Sequence, residues 1–357
     1  MRKKLIVGLK AGGRLKIVIA IIIFSIIILF HELGHFLVAK KCGIRVNEFC
    51  LGLGPTLFGI TKGETKYSIH LLPFGGACMM EGEDGDSSDD RAFTNKPVWA
   101  RIAVVAAGPL FNFIMAFVFS VILIACIGYD KPVISGVMDG YPAQEAGMQE
   151  GDTIVKMNHK NIHFCREINL YLYFHAGETV DVTYERDGKE TQVTLTPVYD
   201  EESGGYYVGF YENNARTRAN VGDSLKYGVY YTKYWVDLTF ESVRMLFTGK
   251  VGVQDMSGPV GIVKTIGDTY EESKTDGMFY VFINMLNISI LLSANLGVMN
   301  LLPIPALDGG RLVFLIIEAV RRKRIDPEKE GMVHFVGMMC LMALMVFIMF
   351  SDIRKLF

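Results

Sequence analysis

The sequence predicts a polytopic α-helical membrane protein of about four spans. A strand-forming loop lies between the first two, and a β-rich domain is inserted before the third. Three observations carry this reading. Half of the 357 residues are apolar, only 21% are charged, and the mean hydropathy is +0.29, which is high for a soluble chain. Four charge-poor runs are long enough to cross a ~30 Å hydrocarbon core. From residue 133 to about 197 the pattern turns into short alternating segments with turn signals. The 36 Lys and Arg nearly balance 38 Asp and Glu, so the basic excess of a nucleic-acid binder is missing and no nucleic-acid partner is expected. None of the six cysteines sits in a Cys-x-x-Cys pair, and neither a disulfide framework nor a thiolate metal site is legible.

The spans follow in order. Ile17–Ala39 carries one charge, Glu32, and as a helix it reaches roughly 35 Å. Basic residues precede it as in a signal peptide, but no small-residue cleavage site follows, so the span is retained. Ile102–Gly128 and Met278–Leu307 are charge-free, the latter ending at Asp308, and Met332–Ser351 is the fourth. Lys40, Lys41, Arg45, Lys96 and Arg101 flank loop 40–101, and Arg311, Arg321, Arg322, Lys323 and Arg324 mark loop 308–331. The positive-inside rule makes these loops cytoplasmic and 129–277 external, against the preference of the basic N-terminal extension. The expected units are 1–39, 40–101, 102–128, 129–198, 199–277, 278–320 and 321–357. The acidic run 81–90 reads as a solvated, flexible loop.

His31-Glu32-Leu33-Gly34-His35 is a His-Glu-x-x-His inside the first span. Residues four apart share a helix face, so both imidazoles can meet one metal ion, with Glu32 beside them to polarise water. An ionisable group at membrane depth is costly and therefore paired or functional. His159 and His163 repeat the spacing without the Glu, in a soluble stretch, and read as surface histidines. Two histidines leave a tetrahedral site short of a third protein ligand. Asp308, after the helix-breaking Pro303 and Pro305, is the best donor. Glu318 is its rival, and a helix cap or a partner for Arg311 is the structural alternative for Asp308.

Together, His-Glu-Leu-Gly-His and Asn300-Leu-Leu-Pro-Ile-Pro-Ala-Leu-Asp308-Gly resemble the motif pair of the site-2 proteases, intramembrane zinc metalloproteases. The chain is most similar to their bacterial RseP-like branch. Phe93 to Asn112, Leu51 to Phe58, Leu72 to Gly76 and Ser257 to Ile262 extend the resemblance over nearly the whole chain. It implies Zn²⁺ as cofactor, His31, His35 and Asp308 as metal ligands, and Glu32 as catalytic acid and base. It further implies Asn295 and Asn300 as hydrogen-bonding groups near the active centre, helix–helix contact being their structural alternative. Asn112 and Gly108-Pro109 read as packing and kink residues. Substrates would be single-pass membrane proteins such as anti-sigma factors, and signal-peptide remnants, cut within a transmembrane helix near the cytoplasmic side of a bacterial inner membrane. Unwinding such a helix bares amides that cost several kcal/mol each in lipid. The resemblance therefore casts the loop as a membrane-associated β-hairpin, with Tyr67, Ser68, Ile69, His70, Leu71 and Leu72 as the strand that binds substrate.

In the external stretch, Val180–Tyr184 and Thr191–Leu195 flank Asp187-Gly188, a hairpin signal. Residues 142–158 resemble a PDZ sequence, which implies strand-addition binding of a peptide ligand or, alternatively, a size filter for substrates. Val221 to Phe247 reads as an amphipathic helix at the interface of the lipid bilayer. An inactive peptide-binding adaptor and a metal transporter are the competing classes. The intact Glu32 argues against the first, and the single ligand set against the second.

Overall fold

A computed structural model describes residues 2–355 apart from 84, 86, 202–203, 214 and 253–255. In chain order the elements are α1 (Arg2–Lys41), β1 (Val46–Lys62), β2 (Thr65–Met80), α2 (Val98–Ile127), β3 (Tyr129–Asp130), β4 (Ile134–Val137), α3 (Pro142–Glu145), β5 (Thr153–Met157), β6 (Lys160–Asn161), α4 (Cys165–Phe174), β7 (Val180–Arg186) and β8 (Lys189–Leu195). There follow β9 (Val198–Asp200), β10 (Gly205–Tyr207), β11 (Phe210–Glu212), β12 (Arg216–Thr217), α5 (Val221–Phe247), α6 (Pro259–Asp276), α7 (Met278–Leu301), α8 (Asp308–Arg321) and α9 (Pro327–Arg354). The chain divides into two compact units, 1–119 with 242–357 and 120–241.

In the first unit, four helices are long and apolar enough to cross a membrane: Leu15–Lys41, Val98–Ile127, Met278–Leu301 and Glu328–Arg354. They coincide with the four expected runs, with one instructive difference. The charge-free stretch from Met278 is not one helix. It stops at Leu301, and Pro303 and Pro305 lie in a loop from which α8 starts at Asp308. Proline cannot supply the amide that continuing the helix requires. Helices α1 and α2 approach closely at small residues, as membrane helices do. A Cβ on Gly34 would lie 2.4 Å from the Ala107 carbonyl oxygen. Ile23 and Ile27 of α1 pack with Met115 of α2 and Ile266 of α6.

The β1–β2 pair is more folded than a simple hairpin. Phe49 pairs with both Cys78 and Tyr67, and Tyr67 pairs in turn with Ile60. Backbone bends at Gly52, Gly54 and Gly75, all with φ near +90°, let each long strand double back. Residues 66–69 therefore have ladder partners on both sides. For Tyr67–Ile69 this removes the expected binding edge, because a strand hydrogen-bonded on both flanks cannot accept a third partner, whereas His70 and Leu72 each pair on one flank, with Thr56 and Leu53. Residues 76–80 pair only with 46–51 among the described residues. Leu53, Leu57, Phe58, Ile60, Leu71 and Leu72 are each half exposed or more, an apolar surface suited to lipid.

Within the acidic run, Glu81, Glu83 and Ser87 have specific partners that a solvated loop does not predict. Glu83 pairs with Arg311 of α8, Ser87 Oγ donates to Glu81 at 2.8 Å, and Asn95 Nδ2 donates to the Ser87 carbonyl at 2.9 Å. Net acidity in the sequence concealed these specific partners.

In the second unit, β6-β5-β7-β8 form a sheet over a core that includes Ile154, Met157, Ile168, Val180, Val182 and Leu195. The expected hairpin is present: β7 and β8 turn at Asp187 (φ +50°) and Gly188 (φ +76°), the left-handed pair that matches strand twist. Helix α5 turns several of its aromatic residues onto the β-rich core. Tyr227 stacks on Tyr129, Tyr230 stacks on His163, and Arg166 donates to Tyr231 Oη at 2.6 Å. These rings dock α5 against the β-rich core.

Candidate metal centre

Helix α1 delivers His31 and His35 one turn apart, both under 10% exposed within an apolar segment. The α7–α8 break delivers Asp308 to the same point. Asp308 Oδ2 lies 3.2 Å from His31 Nε2 and 3.5 Å from His35 Nε2, and the two Nε2 atoms are 3.3 Å apart. Zinc bonds to nitrogen and oxygen of about 2.0–2.2 Å give tetrahedral edges of about 3.3–3.5 Å. The triangle therefore has the size that zinc requires. These three residues form the metal-type cluster found among the described residues.

Proton chemistry points the same way. His35 Nδ1 lies 2.8 Å from the Val104 carbonyl, which can only accept, so this nitrogen carries the hydrogen and, in the neutral ring, Nε2 keeps its lone pair. Asp308 Oδ2 is buried without a hydrogen-bond partner. Lone pairs thus converge on one buried point, an arrangement that a cation stabilises. His31 Nδ1 lies 3.1 Å from Asn112 Nδ2, and Asn112 Oδ1 is buried without a hydrogen-bond partner. If His31 were to hold a metal through Nε2, its Nδ1 would carry hydrogen, and Asn112 with its amide turned over would accept from it.

Gly108 leaves room for this packing, since a Cβ there would lie 2.2 Å from His35 Nε2 and 2.8 Å from His31 Cε1. Asn112 and Gly108, expected to serve packing alone, thus border both imidazoles. Helical spacing could not show this, because the contact joins residues 81 apart in sequence. Asn300 Nδ2 reaches within 3.4 Å of His31 Nε2, and Asn295 lies five residues earlier on α7.

The alternatives resolve by pairing. Glu318 accepts two hydrogen bonds from Arg101, one of them at 3.2 Å, and is withdrawn from the metal cluster. Arg311 pairs with Glu83, which leaves Asp308 to the imidazoles. His163 lies on Tyr230 and beside Glu167, as a packing histidine. Glu32 follows His31 and lies against the β-sheet: a Cβ on Gly76 would come within 3.2 Å of Glu32 Cγ.

Comparison with known proteins gives the family. Residues 19–344 match peptidase family M50. A Clostridium acetobutylicum relative is 37% identical, with 94% of this chain and 97% of its own length covered. Zinc metalloprotease RasP of Geobacillus kaustophilus is 33% identical with the same coverage. Regulator of sigma-W protease RasP of Bacillus subtilis is 32% identical, with 94% and 98% covered. Among solved structures, the PDZ domain of an SdrC-like protein from Listeria monocytogenes is 22% identical. It covers 24% of this chain and 88% of its own, with a TM-score of 0.22. The resemblance to the site-2 proteases read from the two motifs holds, and the chain belongs to peptidase family M50 as a zinc metalloprotease.

Proposed function

We propose that this chain is an intramembrane endopeptidase that hydrolyses a peptide bond within a substrate's transmembrane helix, near the cytoplasmic face of a bacterial cell membrane. The observation that carries this is the convergence of His31, His35 and Asp308 between helices apolar enough to cross a bilayer. Basic loops at 40–101 and 308–331 support the orientation. The relative named for sigma-W regulation supports anti-sigma factors as one substrate class, with signal-peptide remnants as another.

His31 and His35 through Nε2, and Asp308 through Oδ2, would hold the zinc. When bound, it supplies Lewis-acid activation of water and of the scissile carbonyl. The Val104 carbonyl holds His35 in the tautomer that this requires, and Asn112, with its amide turned over, would do the same for His31. Glu32 takes the proton from the attacking water and passes it to the leaving nitrogen. Asn300, at 3.4 Å from His31 Nε2, is placed to donate to the developing oxyanion.

Beside Glu32, the open edge at residues 76–80 takes up the unwound substrate by strand addition. This docking strand is distinct from Tyr67–Ile69, which is paired on both flanks. The external domain engages peptide through its PDZ-like fold and acts on substrates already trimmed outside.

The test is a purified protein incubated with a membrane-helix substrate. The wild type cleaves, while Glu32→Gln keeps zinc and does not. Equal cleavage by both would end the proposal. A photo-crosslinker at Met79 in the Glu32→Gln background is expected to capture substrate, and one at Ser68 is not.

A further inference from the structure

Helix α9 is the fourth apolar segment and is largely exposed along its length. Its C-terminal end meets α6, where Asp352 accepts from the Gly261 amide at 2.8 Å, and its first half meets the loop before Asp308. His334 Nδ1 accepts a hydrogen bond from the Ala306 amide at 2.9 Å. One turn on, α9 is cut away for the same loop: a Cβ on Gly337 would lie 2.5 Å from Pro305 Cβ and 2.6 Å from the Pro305 carbonyl oxygen.

Ala306 takes φ +81°, a left-handed conformation that residues with a Cβ avoid and that persists only where surroundings hold it. It lies two residues before Asp308. The other side of the loop is equally confined, because a Cβ on Gly310 would come within 2.4 Å of the Ile304 carbonyl oxygen. The loop is thus gripped between α8 and α9, and its grip decides where α8 begins and where Asp308 points.

We propose that His334 is a positioning residue for the metal centre: by accepting from Ala306 N–H, with Gly337 as the socket for Pro305, it fixes the loop that aims Asp308 at His31 and His35. It donates nothing to the metal or the substrate, and α9 thereby becomes part of the catalytic apparatus. This rests on the metal reading given above.

The test uses full-length protein in detergent, titrated with zinc against a chromophoric chelator and loaded with cobalt as a geometric probe. Outer-shell partners of ligands are worth 10–100-fold in metal affinity. His334→Ala is expected to weaken zinc binding by about that factor and to alter the cobalt d–d bands. His334→Asn places an amide oxygen near the Nδ1 position and is expected to stay within about threefold of wild type with the wild-type spectrum. Gly337→Val leaves the ring in place and crowds Pro305. It acts in the same direction as His334→Ala and stands in for it should that variant not remain monodisperse.

Wild-type affinity and spectrum in His334→Ala and Gly337→Val would overturn the inference alone. So would an Asn variant as impaired as the Ala variant. A wild type that binds no zinc would overturn the metal reading and this inference with it. His31→Ala loses zinc relative to wild type only if the metal reading stands, whatever His334 does, and so separates the two failures.

Discussion

Adding one methyl group at Gly108 tests the metal centre from the helix that contributes no ligand. In Gly108→Ala the new carbon would stand 2.2 Å from His35 Nε2 and 2.6 Å from His35 Cε1. Non-bonded carbon contacts lie near 3.5 Å, so the ring must retreat by roughly 1 Å or more. A zinc–nitrogen bond of about 2.0–2.1 Å does not survive that displacement. Four-ligand zinc sites bind with about 10–16 kcal/mol, so losing one of three protein ligands removes roughly 3–4 kcal/mol. That is about 10²- to 10³-fold in affinity. Competition with a chromophoric chelator reads the change directly. Gly297→Ala is the control, because its Cβ would meet the Phe113 ring at 2.7 Å, a comparable steric insult away from the ligands, and zinc binding should persist. A Gly108→Ala protein with wild-type zinc affinity would refute the geometry.

Further expectations follow from the same contacts. Glu32→Gln should lower turnover by at least about 10²–10⁴-fold with zinc stoichiometry unchanged, read by cleavage assay and metal analysis side by side. Removing Glu318 alone, as Glu318→Leu, strands the buried Arg101 and should cost about 3–5 kcal/mol in denaturant unfolding. The double change Arg101→Met with Glu318→Leu should recover much of it. In the β-rich unit, burial raises the Glu212 carboxyl from 4.5 to about 7, the Asn169 hydrogen bond opposing and the nearby Asp130 charge adding. A folded-state value above the unfolded one contributes stability that is complete below pH 4.5 and lost as pH rises through about 7. Glu212→Gln should therefore flatten that part of the pH–stability curve, read by proteolysis in urea. An unchanged slope would refute the assignment.

What the sequence made legible follows from how local each signal is. The two imidazoles and Glu32 were readable because four-residue spacing on a helix is local geometry, and a charge in an apolar run stands out. Asp308 was readable because two prolines and a carboxylate end a charge-free stretch. Pairings across the chain had no such signature. Arg101 meets Glu318 over 217 residues, Glu83 meets Arg311 over 228, and His334 reaches Ala306 from a different helix. The β-sheet misled for a related reason. Alternation in Tyr67–Leu72 announced a strand but not its neighbours, which are set by the bends at Gly52, Gly54 and Gly75. The aromatic residues of α5 suit a membrane interface and a protein core equally well, and the stacking of Tyr227 on Tyr129 and Tyr230 on His163 carries no local sequence signal.

X-ray absorption at the zinc edge of the purified full-length protein tests the metal centre most directly. Two imidazoles and oxygen donors at about 2.0–2.2 Å are expected, with Asp308→Ala losing an oxygen and His35→Ala an imidazole. Sulfur at about 2.3 Å, or a spectrum unmoved by either substitution, would contradict it.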